Sequence, residues 1–286
     1  MSRTCNVGAV HIGAGQSLAV IAGPCVLESL ELGLMVGHTL KDTCASRGLG
    51  YVFKASFDKA NRSSIRSARG PGLVKGLEWL RRIGDELAVP VTTDIHEPAH
   101  AGPAAEAVDL LQIPAFLCRQ TDLLFAAGEA GARHGRAVNV KKGQFMSPGE
   151  MSGAVRKLAE AGTSNVMLTE RGTFFGYGRL VNDFLGMGDL MELSCEGGPP
   201  PVCFDCTHST QLPGAGEQTG GRPERAPLLA RAAVAAGVHA VFLECHPEPA
   251  KAMSDSSTML RLETVPALLA ELAAVRSAIR PAAKTQ

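Results

Sequence analysis

The stretch of the chain with the most evident chemistry follows an apolar run at residues 50–53. Cations and neutral hydrogen-bond donors crowd residues 54–64, and they are Lys54, Ser56, Lys59, Asn61, Arg62, Ser63 and Ser64. Lysine, arginine and hydroxyl donors at this density suit phosphate-bearing anions. A solvated basic loop would have a similar composition, so the interpretation depends on what the rest of the chain supplies.

Further cations occur at Arg119, Lys141, Lys142 and Arg171. Together they are more than one phosphate needs, and two anionic groups, or one phosphate and one carboxylate, match them better. Nucleotide-binding fingerprints are absent, because the Gly-Ala-Gly triplets at residues 13–15 and 214–216 lack the third glycine and no Gly-Lys-Ser/Thr motif occurs. The pattern therefore indicates an anion site of another kind.

A second group of residues could hold a metal ion, namely Cys25, His208, Glu244 and Asp255. Each has an ordinary structural explanation when it is taken alone, such as burial for the cysteine. Together, a thiolate, an imidazole and two carboxylates suit Zn(II), Fe(II) or Mn(II) with a position open for water or substrate. Cys206 and His246 are rival ligands that spacing alone does not exclude.

Eight apolar, strand-like runs must position these side chains. They occupy residues 18–22, 50–53, 89–93, 110–113, 137–140, 166–169, 202–205 and 240–243. Segments with helical spacing separate most of them, such as the one carrying Leu77, Leu80, Ile83 and Leu87, and another such segment follows the last run. This alternation predicts an α/β protein built as a single (β/α)8 TIM barrel, with a doubly wound open sheet as the alternative.

The carboxyl ends of barrel strands meet at one rim, where the active site of such a barrel lies. Each predicted strand ends in polar or potential metal-binding residues. In chain order these are Cys25, Lys54, Asp94 with His96, Gln112, Lys141 with Gln144, Glu170 with Arg171, His208 and Glu244. We therefore expect all of them to surround one mouth, a pattern that favours an enzyme over a structural barrel.

Length and composition fit one barrel with short extensions. We expect a barrel over residues 18–280, an N-terminal extension at residues 1–17 that could form a hairpin capping the barrel bottom, and a frayed tail at residues 281–286. Lys plus Arg and Asp plus Glu both number 28, so no overall charge would attract nucleic acid or a membrane surface. The short apolar run at residues 18–27 and the eight cysteines indicate a soluble, cytoplasmic protein with free thiols.

Seven segments share motifs with a known family. They lie at residues 21–29, 53–64, 93–97, 111–116, 138–142, 204–208 and 244–249, and read IAGPCVLES, FKASFDKANRSS, TDIHE, LQIPAF, VNVKK, FDCTH and ECHPEP. The chain resembles the 3-deoxy-D-manno-octulosonate 8-phosphate synthase family from about residue 18 to about residue 275. The resemblance implies a homotetrameric TIM barrel that condenses phosphoenolpyruvate with D-arabinose 5-phosphate and water and releases phosphate. The product could serve a bacterial lipopolysaccharide or a plant wall polysaccharide, and the Ala-, Gly- and Arg-rich composition favours the bacterial one.

The resemblance also implies a role for individual residues. Phosphoenolpyruvate would be held by Lys54, Lys59, Gln112, Lys141 and Arg171, and Gln144 is counted with these substrate-binding residues. The pentose phosphate would be held by Asn61, Arg62 and Ser63, with Arg119 reaching in from a neighbouring subunit. Asp94 and His96 would line the sugar pocket, and catalysis would depend on them together with His208 and Asp255.

The family divides into metal-dependent and metal-independent members, which carry Cys or Asn at the end of the first strand. Cys25 occupies that position here, and His208, Glu244 and Asp255 are also present, so the resemblance implies a metal-dependent enzyme. The chain departs from the family at Gly143, where some members have Pro, and at Cys206, where a small apolar residue is usual. The second departure favours packing over ligation for Cys206.

Other functions remain as alternatives. The related 3-deoxy-D-arabino-heptulosonate 7-phosphate synthase uses erythrose 4-phosphate, but it carries Lys-Pro-Arg-Thr where residues 59–62 here read Lys-Ala-Asn-Arg. A sialic-acid-type synthase would lack the clamp at residues 61–63. A catalytically silent barrel that serves as a binding scaffold would have lost residues of the rim. Residues 214–221 could be a mobile lid or an ordinary surface loop.

Overall fold

The structure is a computed structural model that describes residues 3–60, 68–213 and 220–279. Three of the expected substrate-binding residues, Asn61, Arg62 and Ser63, lie outside the described residues. So do most of the expected lid at residues 214–221 and the expected tail at residues 281–286.

Within the described ranges, parallel strands form a barrel. Its strands are β1 (Ala19–Gly23), β2 (Gly50–Lys54), β3 (Val91–Asp94), β4 (Leu110–Ile113), β5 (Ala137–Lys141), β6 (Val166–Glu170), β7 (Val202–Asp205) and β8 (Ala240–His246). Each strand pairs with the next along the chain, and β8 pairs with both β7 and β1. This closure confirms the predicted TIM barrel, because a doubly wound open sheet would leave two strands unpaired at its edges.

The predicted strand positions agree closely with the observed ones. β4 and β7 have the predicted bounds, whereas β3 begins at Val91 instead of residue 89, after Pro90, which has no amide hydrogen for the ladder. β8 continues past residue 243 to His246 because Cys245 and His246 pair with a short strand at Leu260–Arg261. The apolar runs therefore predict where the strands lie, and backbone hydrogen bonding determines where each strand begins and ends.

A helix follows each strand and packs on the outside of the barrel. The helices are α1 (Leu30–Ala45), α2 (Leu73–Leu87), α3 (Pro98–Ala107), α4 (Thr121–His134), α5 (Ser152–Glu160), α6 (Phe184–Met191), α7 (Ala226–Ala236) and α8 (Val265–Ile279). In α2 the predicted stripe of Leu77, Leu80, Ile83 and Leu87 is buried. Its apolar face packs in the core shared by the strands and helices, as helical periodicity requires.

The barrel interior is apolar at its lower end and polar at its upper end. A hairpin of two short strands, Cys5–Val7 and Val10–Ile12, packs against the lower end of the barrel. It contacts side chains that face the barrel interior, including Ile21, Val52 and Met167. Because strand side chains alternate, the next inward positions toward the carboxyl ends carry Lys54, Asp94, Gln112, Lys141 and other polar residues.

The cysteines in the described ranges form no disulfide. All the cysteines are free, and Cys203 faces the barrel interior while Cys206 lies in the core outside the barrel. The two therefore point to opposite sides of β7 and its end. None of the described helices is both long and apolar enough to cross a membrane.

One half-buried histidine at the lower end makes stability depend on pH. His239 Nδ1 accepts a hydrogen bond from Val202 N at 3.0 Å. Burial, assisted by the nearby charge of Arg276, lowers the pKa of His239 to about 4. In the unfolded chain the imidazole of His239 has its ordinary pKa of about 6.5. Neutral His239 therefore contributes to the free energy of unfolding above pH 6.5, and this contribution is lost as the pH falls toward 4.

We expect His239→Gln to flatten this dependence, because glutamine can accept the same hydrogen bond but does not titrate. Between pH 7 and pH 4.5 the unfolding free energy of the unmodified protein should fall by about 2 kcal/mol more than that of the variant. Urea unfolding at several pH values measures the difference. His38→Gln, at an exposed position on α1, is the matched control, and parallel pH curves for the two proteins would contradict the assignment.

Candidate active site

Buried charges on strands separated by one other strand pair with each other at the mouth of the barrel. Lys54, at the end of β2, donates to the Glu244 carboxylate on β8, and its Nζ lies 3.9 Å from Asp94 Oδ2 on β3. Lys141, at the end of β5, has its Nζ 2.7 Å from Asp205 Oδ2 on β7. All five residues are buried, so each charge depends on its partner of opposite sign.

The end of β1 lies unusually close to β2. A Cβ atom at Gly23 would be 2.1 Å from Lys54 O, so only glycine fits at this position. The backbone pairing continues beyond both strands, since Ser56 N donates to Cys25 O at 3.1 Å. Lys54 Nζ donates to the same oxygen at 3.0 Å. The close approach thereby fixes Cys25 beside the buried lysine.

Cys25, Glu244 and Asp255 form the cluster best suited to a metal ion. Each offers one ligand atom, and the three atoms lie within 4.8 Å of one another. Cys25 Sγ donates to Asp255 Oδ2 at 2.8 Å. His208 lies at the edge of this cluster, with its Nε2 3.6 Å from Glu244 Oε2. The structure therefore brings the four expected ligands to one place.

The two rival ligands lie elsewhere. Cys206 Sγ donates to Phe242 O, on the outer side of the barrel wall. His246 Nε2 lies 3.7 Å from Glu28 Oε1, and its Nδ1 accepts from Glu248 N. Sequence spacing leaves both residues open as ligands, and their positions in the fold separate them from the cluster.

The chemistry of the cluster fits a divalent cation. Burial, reinforced by the charges of Asp255 and Glu244, raises the pKa of the Cys25 thiol well above its usual range. Glu244 Oε2 is buried and has no hydrogen-bond partner among the described residues. A cation there would compensate the two carboxylates and favour the thiolate, and the sulfur, nitrogen and oxygen donors match transition metals.

A chain of hydrogen bonds runs around the interior below the mouth. Thr169 Oγ1 donates to Asn139 Oδ1 at 2.8 Å, and Asn139 Nδ2 donates to Gln112 Oε1 at 3.0 Å. Gln112 Nε2 then donates to Asp94 Oδ1 at 2.6 Å, while Ser56 donates to the other carboxylate oxygen. Because an ionised carboxylate only accepts, it sets the direction of the whole chain and the orientation of the Gln112 amide.

The ionised state of Asp94 is favoured by its surroundings. Burial alone would raise the pKa of this carboxyl group, but the Lys54 and Lys59 cations hold it well below its usual range. The carboxylate thus remains an acceptor at neutral pH. Nearby His96 packs edge-on against Phe57, and burial lowers the pKa of His96, which favours its neutral form.

Asp205 is a site residue that the sequence analysis did not single out. Its Oδ2 lies 2.7 Å from both Lys141 Nζ and His208 Nδ1, and its Oδ1 accepts from His208 N at 2.9 Å. The carboxylate can only accept, so the imidazole hydrogen sits on Nδ1 and leaves Nε2 free to ligate. Asp205, Asn139 and Thr169 all occupy inward positions near strand ends, and counting back by two from the rim would have found them.

Other expected site residues are distributed around the same mouth. Arg171 Nη2 donates to Gln211 Oε1, while Arg171 Nη1 and Gln144 Oε1 are buried without a hydrogen-bond partner among the described residues. Lys59 Nζ lies 3.7 Å from Asp255 Oδ2. Arg119 is exposed, between a short 3-10 turn and α4.

One polar residue expected at the rim, Glu170, turns away from it. Glu170 follows the inward-facing Thr169, so strand alternation directs its side chain outward. There its Oε2 lies 3.3 Å from Lys142 Nζ, and both side chains are buried. The expectation that every strand-end polar residue faces the mouth is wrong for Glu170.

Comparison with known proteins places the chain among close relatives. Residues 3–280 match the DAHP synthetase I family. A 2-dehydro-3-deoxyphosphooctonate aldolase of Nitratidesulfovibrio vulgaris strain DP4 is 52% identical over 270 residues, which cover 94% of this chain and 96% of the relative. Proteins of the same name from Desulfotalea psychrophila and Citrifermentans bemidjiense are 50% and 47% identical, and the matches cover 96% of this chain and 95% and 98% of theirs.

Proposed function

The chain belongs to the DAHP synthetase I family, and from this premise we propose that it condenses phosphoenolpyruvate with D-arabinose 5-phosphate and water. The products are 3-deoxy-D-manno-octulosonate 8-phosphate and inorganic phosphate, which makes the protein a transferase. The observation that carries this assignment is its identity of about half to relatives named 2-dehydro-3-deoxyphosphooctonate aldolase, over nearly the full length of both chains. The erythrose 4-phosphate and scaffold alternatives are not favoured.

The cations of the mouth suit the binding of phosphoenolpyruvate. Its phosphate and carboxylate would be held by Lys54, Lys59, Gln112, Lys141, Gln144 and Arg171. Arg171 Nη1 and Gln144 Oε1 support this role because both are buried and lack a hydrogen-bond partner among the described residues. A bound anion would satisfy the guanidinium, and a donor on the ligand or a bound water would satisfy the amide oxygen.

The reaction forms one carbon–carbon bond and replaces the carbon–oxygen bond to phosphate by a carbon–oxygen bond to the oxygen of water. The enol carbon of phosphoenolpyruvate attacks the sugar aldehyde, and water adds to the adjacent carbon that carries the phosphate. The resulting tetrahedral intermediate expels inorganic phosphate and leaves a ketone. Lys141 and Arg171 would stabilise the negative charge that collects on the departing phosphate, in a site already shielded from water.

The sugar would bind toward β2 and β3. Asp94 and His96 would line its pocket, and Asn61, Arg62 and Ser63 would hold its phosphate. The neutral form of His96 can both donate and accept a hydrogen bond, which suits a sugar hydroxyl. Placing the aldehyde beside the enol carbon supplies much of the rate enhancement by orientation.

A divalent transition metal, Zn, Fe(II) or Mn(II), would be held by Cys25, His208, Glu244 and Asp255. When bound, the ion supplies Lewis acidity that can polarise the aldehyde oxygen or lower the pKa of a bound water. Asp205 would fix the orientation of the His208 ring through Nδ1. As ligands of the ion, His208 and Asp255 would place the reaction beside the Cys25 cluster.

Exposed apolar side chains at the mouth support a homotetramer. Phe116, Phe145, Phe175 and Tyr177 are exposed on the connections after β4, β5 and β6, and Leu185 is exposed near the start of α6. Aromatic residues are enriched at protein interfaces. Arg119, on the same end, would reach the pentose phosphate of the neighbouring subunit. A soluble tetramer with phosphorylated substrates would work in the cytoplasm and supply lipopolysaccharide biosynthesis.

The aldehyde specificity can be tested directly. We expect phosphate release from phosphoenolpyruvate with D-arabinose 5-phosphate, and much slower release with erythrose 4-phosphate or N-acetylmannosamine. A colorimetric phosphate assay on the purified protein, with each aldehyde in turn, measures this. Preference for either of the other aldehydes would reassign the substrate, and no release with any of them would favour the scaffold alternative.

Metal dependence follows from the Cys25 cluster. Treatment with a chelator should abolish activity, and a divalent transition metal should restore it. Cys25→Asn should lower the bound metal at least tenfold, as measured by elemental analysis, yet leave a partly active enzyme that chelators no longer inhibit. Cys195→Ser, a thiol outside the cluster, is the control. Full activity of the metal-free unmodified protein would refute metal dependence.

The role of Arg119 across a subunit boundary can be separated from binding of phosphoenolpyruvate. Loss of one charged hydrogen bond should raise the KM for D-arabinose 5-phosphate about tenfold or more in Arg119→Ala, with little change for phosphoenolpyruvate. Arg133→Ala, at an exposed position on α4, should change neither. Sedimentation velocity should give the mass of four chains, and a stable, fully active monomer would contradict the proposal.

A further inference from the structure

A buried ion pair lies just outside the mouth. The Lys142 and Glu170 side chains are only 1% and 5% exposed, and Lys142 Nζ lies 3.3 Å from Glu170 Oε2. Removing two charges from water costs free energy that their attraction repays only when further hydrogen bonds complete the geometry. The remaining partners of the two side chains therefore indicate what this pair does.

Those partners are backbone groups of two different connections. Glu170 Oε1 accepts hydrogen bonds from Arg171 N at 2.8 Å and from Gly172 N at 2.6 Å, at the start of the connection after β6. Lys142 Nζ donates to Met146 O at 3.1 Å and to Gly143 O at 3.4 Å, in the connection after β5. The ion pair thus ties the backbone of one connection to that of the other.

Two further backbone hydrogen bonds hold the connection after β5 in place. Lys142 N donates to Thr169 O in β6 at 2.7 Å, and Phe174 N, in the connection after β6, donates to Gln144 O at 2.9 Å. Residues proposed to bind phosphoenolpyruvate lie directly beside the tied positions. Lys141 precedes Lys142, Gln144 lies between Gly143 and Met146, and Arg171 follows Glu170.

We propose that the Lys142–Glu170 ion pair is a positioning element for the phosphoenolpyruvate site. It holds the connections after β5 and β6 in one arrangement, so that Lys141, Gln144 and Arg171 meet the anion without first being ordered. The inference rests on the proposed function, since it takes these residues as phosphoenolpyruvate ligands. Neither Lys142 nor Glu170 touches the substrate, because their polar atoms are occupied by protein groups.

A pair that served stability alone would behave differently. Its loss would lower the unfolding temperature and leave the relative affinities for the two substrates unchanged. A positioning pair must affect phosphoenolpyruvate selectively, because the residues proposed for the pentose phosphate lie on the connection after β2 and on the segment around Arg119. The ratio of the two KM values therefore distinguishes the roles.

Glu170→Gln is the sharpest variant, because its amide oxygen can still accept from Arg171 N and Gly172 N while the charge opposite Lys142 is lost. We expect the KM for phosphoenolpyruvate to rise about tenfold and the KM for D-arabinose 5-phosphate to stay within about twofold. Lys142→Met should do the same, and the double variant should be no worse than either alone, because the two changes remove one interaction. Glu160→Gln, which breaks the exposed pair with Arg156 on α5, is the matched control.

Calorimetric titration of phosphoenolpyruvate alone into each folded variant separates this inference from the proposed reaction. Weaker phosphoenolpyruvate binding in Glu170→Gln supports the positioning role even if arabinose 5-phosphate proves to be the wrong aldehyde. Unchanged phosphoenolpyruvate binding overturns the proposal, and so does an equal rise of both KM values. If Glu170→Gln does not fold, Lys142→Met and Lys142→Arg form the decisive comparison. Binding must then be weakened by the neutral residue and largely kept by the cationic one.

Discussion

The mouth of this barrel depends on the pairing of buried charges across the closed sheet. Lys54 on β2 meets Glu244 on β8, and Lys141 on β5 meets Asp205 on β7, in places where water does not reach. An ion left alone there would be strongly destabilising, so each charge requires its partner. The Lys54–Glu244 pair forms only when β8 pairs with β1 and closes the barrel. Its charges are then already oriented when a substrate arrives.

The sequence predicts much of this arrangement because barrel strands obey two simple rules. Apolar runs indicate the strands, and polar residues at the strand ends indicate one rim. These two patterns predicted that Lys54, Asp94, Gln112 and Lys141 lie at the rim. The metal-type ligands were found by residue type, but only the fold separates Cys25 from Cys206. Cys206 packs outside the barrel wall, and that depends on the three-dimensional position of its backbone at the end of β7.

The features that sequence reasoning missed share one physical cause. The missed residues lie within strands, where they were counted as part of an apolar run. They are Asp205, Asn139 and Thr169, and strand alternation directs their side chains into the barrel. Glu170 shows the opposite error, because a rim residue one position further along faces outward. Both outcomes follow from the two-residue period of a strand. Which side chain then bonds to which, as in the chain from Thr169 to Asp94, depends on distances across the barrel that no single strand encodes.

The N-terminal hairpin determines the route by which molecules enter and leave the site. Cys5, Val7 and Ile12 pack into the lower end of the barrel and close it. A molecule that contacts Gln112 and Lys141 must therefore enter and leave at the carboxyl ends of the strands. Reactants and products would share this one route.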